Sequence, residues 1–322
     1  MSGPAVMLPG AAEIAAARAR LAPLVRRTAL LAREPAGDGR ELFLKLECLQ
    51  AVGSFKVRPV GSALLGRDPH SLAHGVYTCS SGNSALALAA LARARHIPAC
   101  AVVTPNAPPA KLERLVRLGA RIRTVTPEQW WQAVERCQLP QQDGTYIDAV
   151  RDPAALAGNA TLGLEILEEQ PDLDAIFVPF GGGALACGIA CAVRMLGRAV
   201  AVIACELDSA CPYAASRHAG APVRTAAATG FVSGVGFHSL LPQMWPPCRE
   251  LIDGSLTVSL AEVAAAIRVL ALEHHVVAEG AGAIPVAAAL AGRHGFRRVC
   301  AVVSGGNLDA AVLAAILQGA LP

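Results

Sequence analysis

The chain has 322 residues, and its 28 Lys and Arg against 25 Asp and Glu leave a formal charge of +3, too small and too dispersed for a nucleic-acid binder. Hydrophobic residues make up 53% and charged residues 16%, a composition that can bury a large core and excludes disordered, collagen-like and coiled-coil architectures. At this length one large domain and two compact lobes are both open.

Residues 11–27 read as an amphipathic helix, and no basic segment leading into an apolar core and cleavage site precedes it, so no export signal is expected and the chain is assigned to the cytoplasm. From residue 72 onward short β-rich apolar runs alternate with longer Ala/Leu-rich stretches, the pattern of parallel βα units. Strands are predicted at 75–79, 99–103, 121–125, 175–179, 199–205 and 299–303, and a strand-like run at 42–47 precedes them. Helices are predicted at 84–95, 109–118, 127–137, 153–170, 185–196, 260–274 and 308–317. Pro109, Pro127 and Pro153 suit the first turn of a helix, with Thr126 and Asp152 as N-caps. The expected class is doubly wound α/β.

Polar, Pro/Gly-rich breaks fall at 66–70, 138–144 and 211–229, and the first two bracket a small βα unit at 73–149; residues 1–72 and 150–322 then form the larger unit. The uncharged stretch 175–193 is long enough to span a bilayer, but Pro179 and the run Gly181-Gly182-Gly183 divide it into a buried strand, a glycine turn and a helix, so no membrane span is expected. The ten cysteines are scattered from Cys48 to Cys300 and read as reduced core residues. Cys187 and Cys191, four apart on a helix, could offer two metal ligands, but nothing completes the set and no metal is expected.

Four constellations could carry chemistry. Lys56 follows Gly53-Ser54-Phe55; read alone it is a surface charge, but its apolar flanks Phe55 and Val57 would desolvate the amine and make it a nucleophile toward an aldehyde. Ser80-Ser81-Gly82-Asn83-Ser84 links a strand to a helix, either as a plain serine-rich cap or as a carboxylate seat made of free N–H groups and hydroxyls. Phe180-Gly181-Gly182-Gly183-Ala184 lies at another strand-to-helix junction, where converging amides favour a phosphate; the alternatives are a tight turn, or a poor dinucleotide fingerprint with Glu206 as its acidic partner. Ser304-Gly305-Gly306-Asn307 closes the last predicted strand. Ligands of open α/β sheets bind beyond the carboxyl ends of strands, so the three strand-end motifs can converge on one crevice.

In this order, SFK, SSGN, FGGGA and SGGN resemble the fold-type II pyridoxal-phosphate enzymes, in particular the threonine/serine dehydratase and serine racemase branch. The likeness extends to LAGNAT at 156–161 with LEIL at 164–167, FVSGVG at 231–236 and AEGAGA at 278–283. The resemblance implies two doubly wound parallel-sheet lobes of the tryptophan synthase β type, pyridoxal 5'-phosphate as cofactor, and a homodimer acting on a small amino acid. Lys56 would hold the cofactor as a Schiff base beside Phe55; Asn83 would bond the ring hydroxyl; Gly181, Gly182, Gly183, Ala184 and Leu185 would cup the phosphate. Gly234 and Glu279 fall in motifs expected to border the cofactor. Ser304 would face the pyridine nitrogen, and a neutral hydroxyl there makes a weaker electron sink, which favours β-elimination. Ser80, Ser81, Gly82, Asn83 and Ser84 would bind the substrate, with Lys56 removing the α-proton.

The implied reaction is dehydration and deamination of L-threonine or L-serine to a 2-oxo acid and ammonia. Ser81, opposite Lys56, would also permit reprotonation, so racemisation is the alternative; β-replacement and a non-enzymatic amino-acid-binding role are less well supported. Four departures stand out. Pro59 replaces a glycine and requires a helix to begin near it. Ser84 replaces a histidine, and 148–153 lacks a His-Pro start, which removes an expected polar contact at Val150. Glu206 matches one acidic ligand of a divalent-metal site found in some relatives, but the Cys211-Pro212 segment supplies no second one. No regulatory domain is expected after the helix that follows SGGN.

Overall fold

The computed structural model describes residues 6–36, 39–228 and 230–322; residues 1–5 and Thr229, the end of the third break, lie outside them. Helix α1 (Ala11–Leu21) buries Ile14, Ala17 and Leu21 along one face. It leads into an antiparallel pair, β1 (Leu30–Ala36) and β2 (Arg40–Lys45), and then α2 (Val57–Leu65). A smaller unit follows: β3 (Val76–Cys79), α3 (Asn83–Arg93), β4 (Ala99–Val103), α4 (Pro109–Arg117), β5 (Arg121–Thr124), α5 (Pro127–Arg136) and β6 (Thr145–Tyr146). The chain continues through α6 (Pro153–Glu169), β7 (Ala175–Pro179), α7 (Ala184–Met195), β8 (Ala201–Leu207), α8 (Pro212–Ala219), α9 (Trp245–Leu251) and β9 (Gly254–Val258). It ends with α10 (Leu260–Leu272), α11 (Gly280–Ala291), β10 (Arg298–Val302) and α12 (Ala310–Leu317).

Two sheets result. The larger has the order β1-β2-β10-β7-β8-β9 and is parallel except for the β1–β2 pair at its edge. The smaller, β5-β4-β3-β6, is parallel throughout. Every residue of β7, β3 and β4 is buried, as strands covered by helices on both faces must be. One face of the large sheet packs on α6 and α7, the other on α10 and α11. Helix α2 packs on α6 but also lends Val57, Val60, Ala63 and Leu64 to the core around α3 and β4, so both sheets rest on it. Each sheet also reverses its winding: β7 is flanked by β8 and β10, and β3 by β4 and β6. Such switch points open crevices at the carboxyl ends of the strands.

Thr126 and Asp152 cap α5 and α6 through the Gln129 and Ala154 amides, with the predicted prolines in the first turn. The uncharged stretch 175–193 divides into β7, a glycine turn and α7, and no helix among the described residues is long and apolar enough to cross a membrane. Pro59 sits in the first turn of α2, where its missing N–H costs nothing. The break at 211–229 needs correction, because α8 occupies its first half. Glu206 lies at the end of β8 and accepts hydrogen bonds from the Tyr213 and Ala214 amides (2.9 and 2.8 Å), capping that helix from a distance.

Candidate active site

The crevice is built where the switch points meet. Gly53 turns the chain with a φ of +76°, and a Cβ there would lie 2.7 Å from Asn307 Oδ1. The Phe55 amide then donates to the Ser304 carbonyl and the Gly306 amide to the Gly53 carbonyl, both at 2.9 Å, stitching the lysine-bearing turn to the loop after β10. Lys56 is the residue before α2, and its Nζ lies 4.8 Å from the centroid of the Phe55 ring. Burial pushes the Lys56 amine down to about 8, against the opposing charges of Asp148 and Glu279. At pH 7.4 about a fifth of it is therefore a neutral nucleophile.

Below β3, Ser80–Ser84 leads into α3. Ser80 Oγ accepts the Gly82 amide (3.1 Å), and no side chain caps the helix, so its first-turn amides keep free valence for an anion. Asn83 joins the two sheets: its amide donates to Glu279 Oε1 (2.6 Å), and its carbonyl accepts from Asn307 Nδ2 (2.7 Å). Burial raises the Glu279 carboxyl to about 7, despite the bond from Asn83 and the nearby Lys111, Lys56 and Arg114. The Asn83 amide expected to meet a cofactor hydroxyl is thus already held in line by two partners.

Beyond β7 the glycine turn precedes α7. Gly183 has a φ of +85°, and a Cβ on it would come 2.5 Å from Cys248 Sγ; one on Gly181 would strike the Gly234 carbonyl oxygen. Side chains are excluded here by packing, and α7 has no side-chain cap, so the turn presents bare amides with a helix dipole behind them. Val150 Cγ1 lies 3.0 Å from where a Gly182 Cβ would be, an apolar contact at the position of the missing polar one.

Phe55, Lys56, Ser80, Ser81, Gly82, Asn83, Ser84, Gly181, Gly182, Gly183, Ala184, Leu185, Gly234, Glu279 and Ser304 all border one cavity of about 360 Å³. An amine of lowered basicity, a glycine-lined helix N-terminus and the Ser304 hydroxyl in one cavity fit pyridoxal phosphate. The amine suits its aldehyde, the turn its phosphate and the hydroxyl its ring nitrogen. Both Glu206 oxygens are engaged on α8, outside this cavity, and burial raises that carboxyl to about 7. Cys187 faces Cys248 (Sγ to Sγ 3.5 Å), and no cluster of three or more His, Cys, Asp or Glu suited to a metal stands among the described residues.

Sequence reasoning missed several residues of the cavity. Lys111 and Arg114 on α4 reach across to the larger sheet, donating to Ser233 Oγ (3.3 Å) and Asn307 Oδ1 (2.9 Å). Trp130 and Trp131 on α5 line it too, and their adjacency in a chain with three tryptophans was the available signal. Asp148 is held by the amides of Val150 and Arg151 and by the Arg151 guanidinium (2.8, 3.2 and 2.7 Å).

The profile of the family described as pyridoxal-phosphate dependent enzyme matches residues 21–305. A serine racemase of Oryza sativa subsp. indica is 33% identical over 313 residues, spanning 94% of this chain and 91% of its own. An L-threonine ammonia-lyase of Thermotoga maritima is 31% identical over 314 residues, spanning 96% of this chain and 78% of its own. The solved structure of maize serine racemase superposes with a TM-score of 0.87 at 30% identity, covering 97% of this chain and 98% of that one. With the fold, the lysine-bearing turn and the glycine cup in agreement, the chain belongs to the fold-type II pyridoxal-phosphate dependent enzymes.

Proposed function

We propose that the protein is an ammonia-lyase that eliminates the β-hydroxyl of a β-hydroxy amino acid, L-threonine or L-serine in the first instance, giving a 2-oxo acid and ammonia, and that it works as a cytoplasmic homodimer. Bound pyridoxal phosphate supplies the electron sink for the α-carbon. Lys56 would hold the cofactor and would serve as base for the α-proton; its place in one cavity with the serine loop and the glycine turn is the observation that carries this reading, and burial lowers its basicity toward the working pH. The first-turn amides of α3, with Ser80, Ser81 and Ser84, hold the substrate carboxylate. Asn83 would hold the cofactor ring, Gly181 to Leu185 would hold its phosphate, and Ser304 would offer a neutral hydroxyl to its ring nitrogen.

Racemisation is the second reading, supported by Ser81 in the same cavity, where a hydroxyl can return a proton to the opposite face, and by the serine racemases among the relatives. Purified protein with pyridoxal phosphate and either amino acid should form 2-oxo acid, and Lys56→Ala should form none. Recovery of D-serine without 2-oxo acid would replace elimination by racemisation, and no turnover of either substrate would overturn both readings for L-threonine and L-serine.

A further inference from the structure

The cavity wall beside the glycine turn carries several apolar side chains among the polar Tyr146, Ser233 and Ser239. Val150 meets Gly182, Phe237 Cε2 lies 3.5 Å from the position of a Gly181 Cβ, and the Trp131 ring sits 5.0 Å from that of His238 on the neighbouring loop. Both indole N–H groups on α5 are already spent: Trp130 donates to the Val102 carbonyl (3.2 Å) and Trp131 to Glu135 Oε1 (2.8 Å). What the two indoles offer the cavity is therefore ring carbon. Asp148, which borders the cavity two residues before Val150, is turned into bonds with Arg151 and two amides. Phe237 is 40% exposed, a large apolar side chain left uncovered at the mouth of a polar cofactor site. Besides Lys56, the cations bordering the cavity are Lys111 and Arg114, and each is already bonded, to Ser233 on the loop of Phe237 and to Asn307 respectively.

The geometry points to a hydrophobic specificity subsite formed by Trp130, Trp131, Val134, Val150 and Phe237, which receives the β-substituent of the substrate. Resting on the elimination proposed above, this makes the preferred substrate a β-hydroxy amino acid bearing a bulky apolar or aromatic group on its β-carbon. A β-arylserine meets the description. Its α-proton and β-hydroxyl leave as water, the enamine so formed takes up water and releases ammonia, and an aryl 2-oxo acid remains, with no oxidant or reductant involved. Serine and threonine would leave the ring faces of α5 uncovered, and apolar pockets of this kind discriminate by about 10- to 200-fold per missing hydrocarbon group.

Two measurements on the holoenzyme test this. Spectral titration with L-phenylalanine, L-alanine and L-aspartate, which carry no β-hydroxyl, reads binding without elimination; L-phenylalanine should bind about 10-fold or more tightly than the others. Initial rates of 2-oxo acid formation should give β-phenylserine a kcat/KM about 10-fold or more above that of L-threonine. Trp131→Ala, and independently Phe237→Ala on the exposed loop, should each lower both ratios about fivefold or more. Tighter binding of L-aspartate with preference for 3-hydroxyaspartate would overturn the proposal in favour of an anion subsite at Lys111 and Arg114. Equal binding of all three amino acids would overturn it outright. Selective binding of L-phenylalanine with no 2-oxo acid from any substrate would uphold the subsite and reject the elimination.

Discussion

The reactivity of Lys56 can be measured apart from catalysis. Burial lowers its amine from an ordinary 10.5 to about 8, so at pH 8 about half of it is neutral, against about 0.3% of an unperturbed lysine. The difference corresponds to about 3 kcal/mol of proton affinity and to a gain of over a hundredfold in nucleophilic amine. Trace acetylation of the cofactor-free protein from pH 6 to 11, read peptide by peptide by mass spectrometry, should place the Lys56 midpoint near 8. Asp148 and Glu279 oppose the shift, because an anion favours the ammonium form. Glu279→Gln should therefore move the midpoint below that of the parent. A midpoint of 10 or above, or an upward move in Glu279→Gln, would refute the assignment of the shift to burial.

Three further outcomes are expected. Arg58 is fully buried and bonds Glu47 and Glu165 with four N–H···O contacts of 2.8 to 2.9 Å, so Arg58→Met should leave the buried Glu47 carboxylate without its cation, Glu165 keeping Lys45, and cost about 3–5 kcal/mol in urea denaturation. Gly183→Ala, which places a methyl 2.5 Å from Cys248 Sγ at a positive φ, should weaken cofactor binding about 10-fold or more in an absorbance titration. Glu206 and Glu279 are both raised to about 7, so the folded state binds their protons more tightly than the unfolded chain. Their contribution to stability is complete below about pH 4.5 and is lost as pH rises through 7. The melting temperature of the cofactor-free protein should accordingly decline between pH 5 and 8, and Glu206→Gln should flatten that decline.

The strands at 99–103 and 175–179 were legible to the residue, because continuous apolar runs bounded by Pro or polar residues have few other readings. Helix α11 was not: Gly280, Gly282 and Pro285 argue against a helix locally. It forms because Gly282 lets it approach the Gly305 carbonyl, where a Cβ would come to 2.6 Å. Helix α8 escaped notice because its cap, Glu206, comes from the preceding strand rather than from Cys211. The site divides in the same way. Its loops carry dense glycine and serine motifs that announce themselves. Its walls on α4 and α5 are ordinary amphipathic helices, and only the tertiary fold decides that Lys111, Arg114 and the two indoles face inward.

Helix α2 gives the molecule a fixed part and a light part. Lys56 stands two residues from Arg58, whose guanidinium is clamped between Glu47 and Glu165, so the amine is mounted on a well-anchored stretch of backbone. The serine loop proposed to receive the substrate belongs instead to a four-stranded sheet, bridged to the larger sheet's loops by Asn83 to Glu279 and Arg114 to Asn307 and resting on α2 through Val57, Val60, Ala63 and Leu64. Lys56 and the glycine turn thus stand on elements of the larger sheet, while α4 and α5 stand on the smaller one. For an engineer this separates two tasks: the pocket for the substrate can be reshaped on α4 and α5 without disturbing the mooring of the cofactor.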